Sequence, residues 1–326
     1  SLEPRAQAGS NAPQALFQLR QLIESGEYQS CILLADPLNW IFWSLEGAAI
    51  PAHTRVLAQP IINTDGFSKW KDNAPFRSRL SLVLKRVAPV IALSTNGAEV
   101  RYFREESIPY VHVPNAVAPV APTVDFRREY GLPEGVPLIL HVANWWRVKN
   151  HPGLMEALRS WPGEWRLVMI GHPSQDQEYV RQVREAAAQD RRFLLIPGLP
   201  PDRVSSAMEA ADVVVLASHG EVSPVTILEA MSHGKPWLAT PQCGSVHDQA
   251  GGLIASLGEF PGVLRRMLGD VSLRSALGRC GQEHWKACYS WDAVLAAWEA
   301  LIRNEKPGLS FDMPAAGAAE MDDMKK

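Results

Sequence analysis

Residues 219–240, HGEVSPVTILEAMSHGKPWLAT, decide how this chain is read. Ser223 is a good helix N-cap and Pro224 suits the first helical position, so a helix is expected from about Pro224. Gly234 stops it and Pro236 follows just beyond. Immediately upstream, DVVVLAS is short and almost wholly apolar, the pattern of a strand covered on both faces. A strand that turns directly into a helix places the helix N-terminus at the carboxyl end of a sheet, where open α/β sheets bind ligands. The N–H groups of Val225 and Thr226, with the positive end of the helix dipole, favour a diphosphate there. Glu229 lies in the apolar run ILEAM, where a carboxylate is costly without a partner. Side chains lean toward the helix N-terminus, so Glu229 is within reach of ligand hydroxyls, and Glu221 lies on the loop just before the cap. Two carboxylates flanking an anion site suit hydroxyl recognition on a sugar and a ribose better than metal binding. The pattern alone leaves open a second role for Glu229, as a cap or internal pair.

The same alternation extends outward in both directions. CILLAD, RVLAQPII, VAPVIALS, PLILHVAN, WRLVMIGH, RFLLIPG and KPWLAT read as strands. Helical periodicity separates several of them, in RSRLSLVLKR, HPGLMEALRSW, QDQEYVRQVREAAAQ and PDRVSSAMEAA. Strands and helices alternating at this spacing mean βαβ units and a mainly parallel sheet. VPNAVAPVAPTVDF is proline-rich and lacks periodicity, so it reads as a linker between two α/β domains. The expected organisation is an N-terminal domain over 1–116, a ligand-binding domain over 117–290, a last helix over 291–304 and a flexible tail over 305–326.

Composition narrows the function. The 326 residues carry a net charge of −3, and Lys and Arg occur without the clusters a phosphate backbone would require, so nucleic acid is not an expected partner. The four cysteines match no zinc template and are expected to be reduced thiols in the cytoplasm. No secretory signature opens the sequence, and the longest apolar stretch, 31–50, is broken by Asp36, Pro37, Asn39 and Glu46. Within it LNWIFWSL has two readings, a buried helix or a peripheral contact with a membrane.

Glu221 and Glu229, with seven residues between them and LEAMSHGKPWLAT following, resemble the signature of retaining nucleotide-sugar glycosyltransferases of the GT-B fold, the glycosyl transferases group 1 family. PLILHVAN followed by WWRVKNHPGLMEAL is similar to that family's phosphate-binding element, a glycine–arginine pair, four residues and a lysine, with Lys149 at the lysine. RLVMIGHP, RFLLIPGLPPDRV and MEAADVVVLAS resemble its later strands and loops in order, PNAV its hinge and WDAVLAAWEAL its last helix. The resemblance implies two Rossmann-like domains with a donor cleft between them.

Carried onto this sequence, the resemblance implies that Lys149 neutralises the leaving diphosphate. Glu221 would hold donor-sugar hydroxyls, Glu229 the ribose, Val225 and Thr226 the diphosphate, and Gly198 and Leu199 the base. It implies a donor of UDP or GDP type, a glycan or lipid-linked acceptor, retention at the anomeric carbon, and neither metal nor other cofactor. Asn144 and Ala143 stand where the family has arginine and glycine, and Arg147 is the nearby candidate to supply the charge. Pro224 replaces the family's usual loop glycine. The N-terminal domain reads as shortened. There Asp65, in IINTDGFSKWK, matches a position beside the catalytic centre of some relatives, and it also suits an ordinary turn. Trp145 and Trp146 could stack on acceptor sugars or fill a domain interface. His151, His172, His219 and His233 are expected at element ends facing the cleft. Two other functions remain compatible: a GT-B-like binding module without turnover, and a sugar-nucleotide epimerase.

Overall fold

The computed structural model describes residues 12–35, 39–62, 71–95, 97–243 and 251–309. Its residues group into two units, 1–114 with 297–308, and 115–296 with 309–326. In the first unit α1 (Ala12–Ser25) precedes β1 (Ser30–Ala35), α2 (Asn39–Leu45) and β2 (Arg55–Pro60). After them come α3 (Ala74–Arg86), β3 (Val90–Ala92), α4 (Ala98–Glu105) and β4 (Tyr110–His112). β1 pairs parallel with β2, Leu33 facing Ala58, and β3 pairs parallel with β4, Ile91 facing Val111. Cover on both faces suits strands this short and apolar: β2 from Val56 to Pro60 and all of β3 are buried, whereas Ile32 and Leu34 leave one face of β1 42% and 61% exposed. Ile41, Phe42 and Leu45 of α2 are each 1% exposed, so the LNWIFWSL segment commits these side chains to the core. Each such burial is worth about 1.5–3 kcal/mol, which decides between the two readings of that segment for these three residues. Glu99, in the first turn of α4, is fully buried and accepts from the Ser94 N–H at 2.6 Å and the Ser94 hydroxyl at 3.1 Å. Burial pushes its carboxyl up to about 7.

In the second unit β5 (Leu138–Val142), β6 (Arg166–Ile170), β7 (Phe193–Ile196), β8 (Val213–Leu216), β9 (Trp237–Ala239) and β10 (Gly252–Ile254) form one sheet. Its order is β10-β9-β8-β5-β6-β7 and every pairing is parallel. The chain therefore steps outward from β5 to β7, returns to the other side of β5, and steps outward again. The turning point lies between β5 and β8, the position at which open α/β sheets leave a crevice beyond the strands' carboxyl ends. Successive side chains alternate between two cores, as the pleat requires. Leu138, Leu140, Val214 and Leu216 enter one, and Ile139, Val213 and Val215 the other.

A single-turn α5 (Phe126–Glu129) opens this unit, and α6 (His151–Arg159), α7 (Gln177–Ala188), α8 (Pro201–Ala210) and α9 (Val225–Ser232) connect the strands. α10 (Phe260–Gly269) and α11 (Val271–Cys288) follow, and the residues of α12 (Trp291–Ile302) are divided between the two units. α11 approaches the end of α9 closely: a Cβ on Gly278 would sit 2.1 Å from the Gly234 carbonyl oxygen. α9 begins one residue later than expected. Pro224, at φ −73° and ψ 97°, is extended and occupies the N-cap, and the Ser223 hydroxyl has no hydrogen-bond partner among the described residues.

Candidate functional site

The loops that leave β5 and β8 meet beyond the carboxyl ends of these neighbouring strands. Ala143 N–H donates to the Ile170 carbonyl at 2.9 Å and Trp145 N–H to the His172 carbonyl at 2.9 Å, which ties the β5 loop to the β6 loop. Asn144 completes the seam by accepting from the His172 N–H at 3.0 Å. Gly171 is required here, since a Cβ at that position would lie 1.9 Å from the Ala143 oxygen. The chain then makes a 3₁₀ turn over Arg147–Lys149 and reverses at Asn150, whose φ of 55° is left-handed, before entering α6.

This turn presents Lys149 to the β8 loop. Lys149 Nζ lies 2.5 Å from Glu221 Oε1, and the Ser218 hydroxyl donates to the same oxygen at 2.6 Å. The His219 N–H donates to the Val148 carbonyl at 2.7 Å, so the two loops are joined through main chain as well as charge. The Lys149 and Glu221 side chains are 19% and 11% exposed, far less than an ordinary surface pair. A pair that sheltered is screened little by solvent, and removal of either member leaves the other charge poorly hydrated.

Lys149 and Glu221 form one side of a cavity of about 340 Å³. Asn144 and Trp146, the Gly171–His172 turn, the Gly198–Leu199 loop and the start of α9 from Ser223 to Thr226 line the rest. Gly198 has φ +84°, and the His172 ring lies against it. At α9 the Thr226 hydroxyl donates to the Val142 carbonyl at 2.7 Å, fastening the helix to the end of β5. Its hydroxyl proton is thereby committed, and what Val225 and Thr226 offer the cavity is their first-turn N–H groups, unpaired among the described residues.

Of the candidate residues, Lys149, Glu221, Asn144, Gly198, Leu199, Val225 and Thr226 come together on this wall. Arg147 does not: it pairs with Asp176 at 2.6 Å and lies 5.3 Å from the centre of the Tyr179 ring. Glu229 stands one helical turn beyond Thr226, back from the wall. Its carboxylate is partly buried, lacks a hydrogen-bond partner among the described residues, and is raised in pKa by that burial. Asp65 lies outside the described residues. Trp145 and Trp146 separate, the first 2% exposed in the core and the second 53% exposed at the cavity. No group of three metal-ligating side chains occurs among the described residues, and no helix there is long and apolar enough to cross a membrane.

His151 does not face the cavity, contrary to expectation, because α6 turns it inward and buries it completely. His141, inside β5, is equally buried, and its ring meets that of His151 edge-on at 4.8 Å. Burial lowers the pKa of His141 to about 4 and of His151 to about 3, so both are neutral imidazoles beneath the Lys149 turn. A histidine at a core-facing position of an otherwise apolar strand, LILHV, was the available sign of this layer. The Ser218 hydroxyl on Glu221 carried no such sign.

Residues 123–251 match the family described as glycosyl transferases group 1. The D-inositol 3-phosphate glycosyltransferase of Xylanimonas cellulosilytica is 32% identical over 181 residues, 52% of this chain and 43% of that protein. The N-acetyl-alpha-D-glucosaminyl L-malate synthase of Bacillus anthracis is 23% identical over 195 residues, 56% of this chain and 50% of its own length. These matches span half or less of the length of each curated relative. Among solved structures, sucrose-phosphate synthase from Thermosynechococcus elongatus superposes with a TM-score of 0.75 at 20% identity, covering 92% of this chain and 79% of that one. Anabaena HepE in complex with UDP gives 0.75 at 17% identity, covering 89% and 82%. The chain thus carries a glycosyl transferases group 1 domain and has the fold of the GT-B glycosyltransferases.

Proposed function

We propose that this protein transfers a sugar from a nucleoside diphosphate of UDP or GDP type to a hydroxyl of a glycan or lipid-linked acceptor, with retention at the anomeric carbon. The observation that carries this reading is the convergence on one cavity of Lys149, Glu221 and the first-turn N–H groups of Val225 and Thr226, unpaired among the described residues. As the acceptor oxygen bonds to the anomeric carbon, the bond from that carbon to the diphosphate breaks. The departing oxygen takes the electron pair and the acceptor's proton. The negative charge on the diphosphate meets the Lys149 ammonium and the start of α9, stabilisation commonly worth a few kcal/mol. Donor binding exchanges the Lys149–Glu221 contact for Lys149–phosphate and frees Glu221 to accept from sugar hydroxyls. The Glu229 carboxylate, without a hydrogen-bond partner among the described residues, accepts from the ribose, and the base lies by Gly198 and Leu199. The relatives support this: one is named as an inositol-phosphate glycosyltransferase, and HepE was solved with UDP.

One observation favours a second reading, a binding module without turnover. Asn144 is neutral and held by the His172 N–H, while Arg147 is held by Asp176, which leaves Lys149 as the one ammonium or guanidinium group among the described residues lining the cavity. Melting curves with UDP, GDP, ADP and dTDP, repeated on Lys149→Ala and Glu229→Ala, test the donor site. At a hundredfold excess over Kd, binding adds about 2.7 kcal/mol of stability. One nucleotide should raise Tm and both substitutions should reduce the rise. No shift with any nucleotide would sink the assignment. Transfer measured with that donor then distinguishes enzyme from binding module, and epimerised nucleotide would point to the sugar-nucleotide epimerase instead. Because the reading assigns the diphosphate charge to Lys149 and helix N–H groups, EDTA is expected to leave the rate unchanged.

A further inference from the structure

Lys149 lies in a turn whose two flanks are both fastened to one residue on another element. Tyr179, on the first turns of α7, accepts the main-chain N–H of His151 on its hydroxyl oxygen at 3.0 Å. The same ring lies 5.3 Å from the guanidinium of Arg147. Arg147 opens the 3₁₀ turn and His151 opens α6, so the residues two positions before and two positions after Lys149 converge on Tyr179. The His151 N–H is a first-turn donor of α6 that its own helix cannot satisfy.

The contact continues through the His151 ring. With its oxygen accepting the His151 N–H, the Tyr179 hydroxyl has its own proton to direct at His151 Nδ1, 3.4 Å away. Nε2–H then donates to the Ala143 carbonyl at 3.2 Å, on the cavity wall. At the far end, Asp176 caps α7 by accepting from the Tyr179 N–H at 3.0 Å and also pairs with Arg147. One side chain thus connects the wall at Ala143, both flanks of Lys149 and the start of α7.

We propose that Tyr179 is a positioning residue for Lys149, fixing the height of the lysine-bearing turn so that its ammonium meets the donor's phosphates. The inference rests on the donor-site reading above. Tyr179 touches no ligand; it acts through the turn. Its loss should weaken ligands that carry phosphate and spare those that do not, whereas damage to packing alone would weaken both.

Wild type, Tyr179→Phe and Tyr179→Leu are titrated calorimetrically with UDP and uridine, and with GDP and guanosine, and the pairs repeated in a Lys149→Met background. Tyr179→Phe keeps the ring and removes only the hydroxyl, so it carries the test if the leucine variant does not fold. The hydroxyl's loss should weaken the diphosphate roughly two- to tenfold, the worth of one hydrogen bond, with the nucleoside unchanged. Tyr179→Leu should lose more, and with Lys149→Met in place Tyr179→Phe should cost nothing further. Equal weakening of diphosphate and nucleoside, an unaltered diphosphate affinity, or an undiminished loss in the Lys149→Met background would overturn the proposal. A wild type that binds neither UDP nor GDP overturns the donor reading itself and the positioning role with it.

Discussion

Glu221 competes with any phosphate for Lys149, because the two side chains already share a 2.5 Å contact in a sheltered position. Replacing Glu221 with Gln keeps the shape and removes the competing charge. Glu221→Gln is therefore expected to bind the nucleoside diphosphate at least as tightly as wild type, while transfer falls about 10²–10³-fold, the scale of losing one group aimed at the reacting centre. Titration with the diphosphate and a transfer assay read the two halves separately; a variant that loses both together would show Glu221 to be structural. Gly171 makes the complementary case for backbone. A Cβ there meets the Ala143 oxygen at 1.9 Å, and main chain on both sides leaves no flexible atom to yield. Gly171→Ala should cost roughly 1–3 kcal/mol, seen as a lower urea midpoint at unchanged slope.

At the scale of elements, the site depends on how α9 is held against the sheet. The Thr226 hydroxyl joins it to the end of β5, and Gly278 lets α11 lie against the carbonyl of Gly234 at its other end. Thr226→Val keeps the shape but leaves the Val142 carbonyl without that donor, and should cost about 1–3 kcal/mol. Diphosphate affinity should fall with it as the first-turn N–H groups shift, so unchanged binding would contradict the anchoring. β5 and α9 were legible in the sequence, since apolar runs of four or five residues between helical periodicities admit little besides a parallel sheet, whereas α11 was not among the expected elements. The cap was misplaced by one residue because Pro224 is good both at N1 and in the extended conformation before it. The partners of Arg147 and His151 were not legible. Tyr179 is about thirty positions along the chain from both, on a helix whose facing is fixed only once Val180 and Val183 are buried. Glu221 and Lys149 could be named from motifs, but their mutual contact follows from β5 and β8 being neighbours, which no local spacing reveals.

At the scale of the whole molecule, Glu99 in the first unit and the His141–His151 pair in the second respond to pH in opposite directions. In the first unit Glu99 has its pKa raised from 4.5 to about 7 by burial. The folded state therefore holds that proton more tightly than the unfolded chain, so its contribution is fully present below pH 4.5 and is lost as pH rises through about 7. In the second unit the pKa of His141 is lowered from 6.5 to about 4, and that of His151 to about 3. Their contribution is present above pH 6.5 and is lost as pH falls through about 4 and then 3, because the unfolded chain takes up protons that the folded state refuses. Stability should thus pass through a maximum, with the Glu99 decline on the alkaline side arising in the first unit and the histidine decline on the acid side in the second. Glu99→Gln isolates the first limb: the amide cannot ionise yet still offers an oxygen to the Ser94 N–H. The variant should melt above wild type at pH 8, and the gap should shrink progressively toward pH 5. Hydrogen exchange, corrected for its intrinsic pH dependence, should place that gain in amides of residues 71–112 and leave β5 through β8 unaltered. A gap of constant size across this range would mean that Glu99 is already ionised in the folded protein, with the Ser94 hydrogen bonds outweighing its burial.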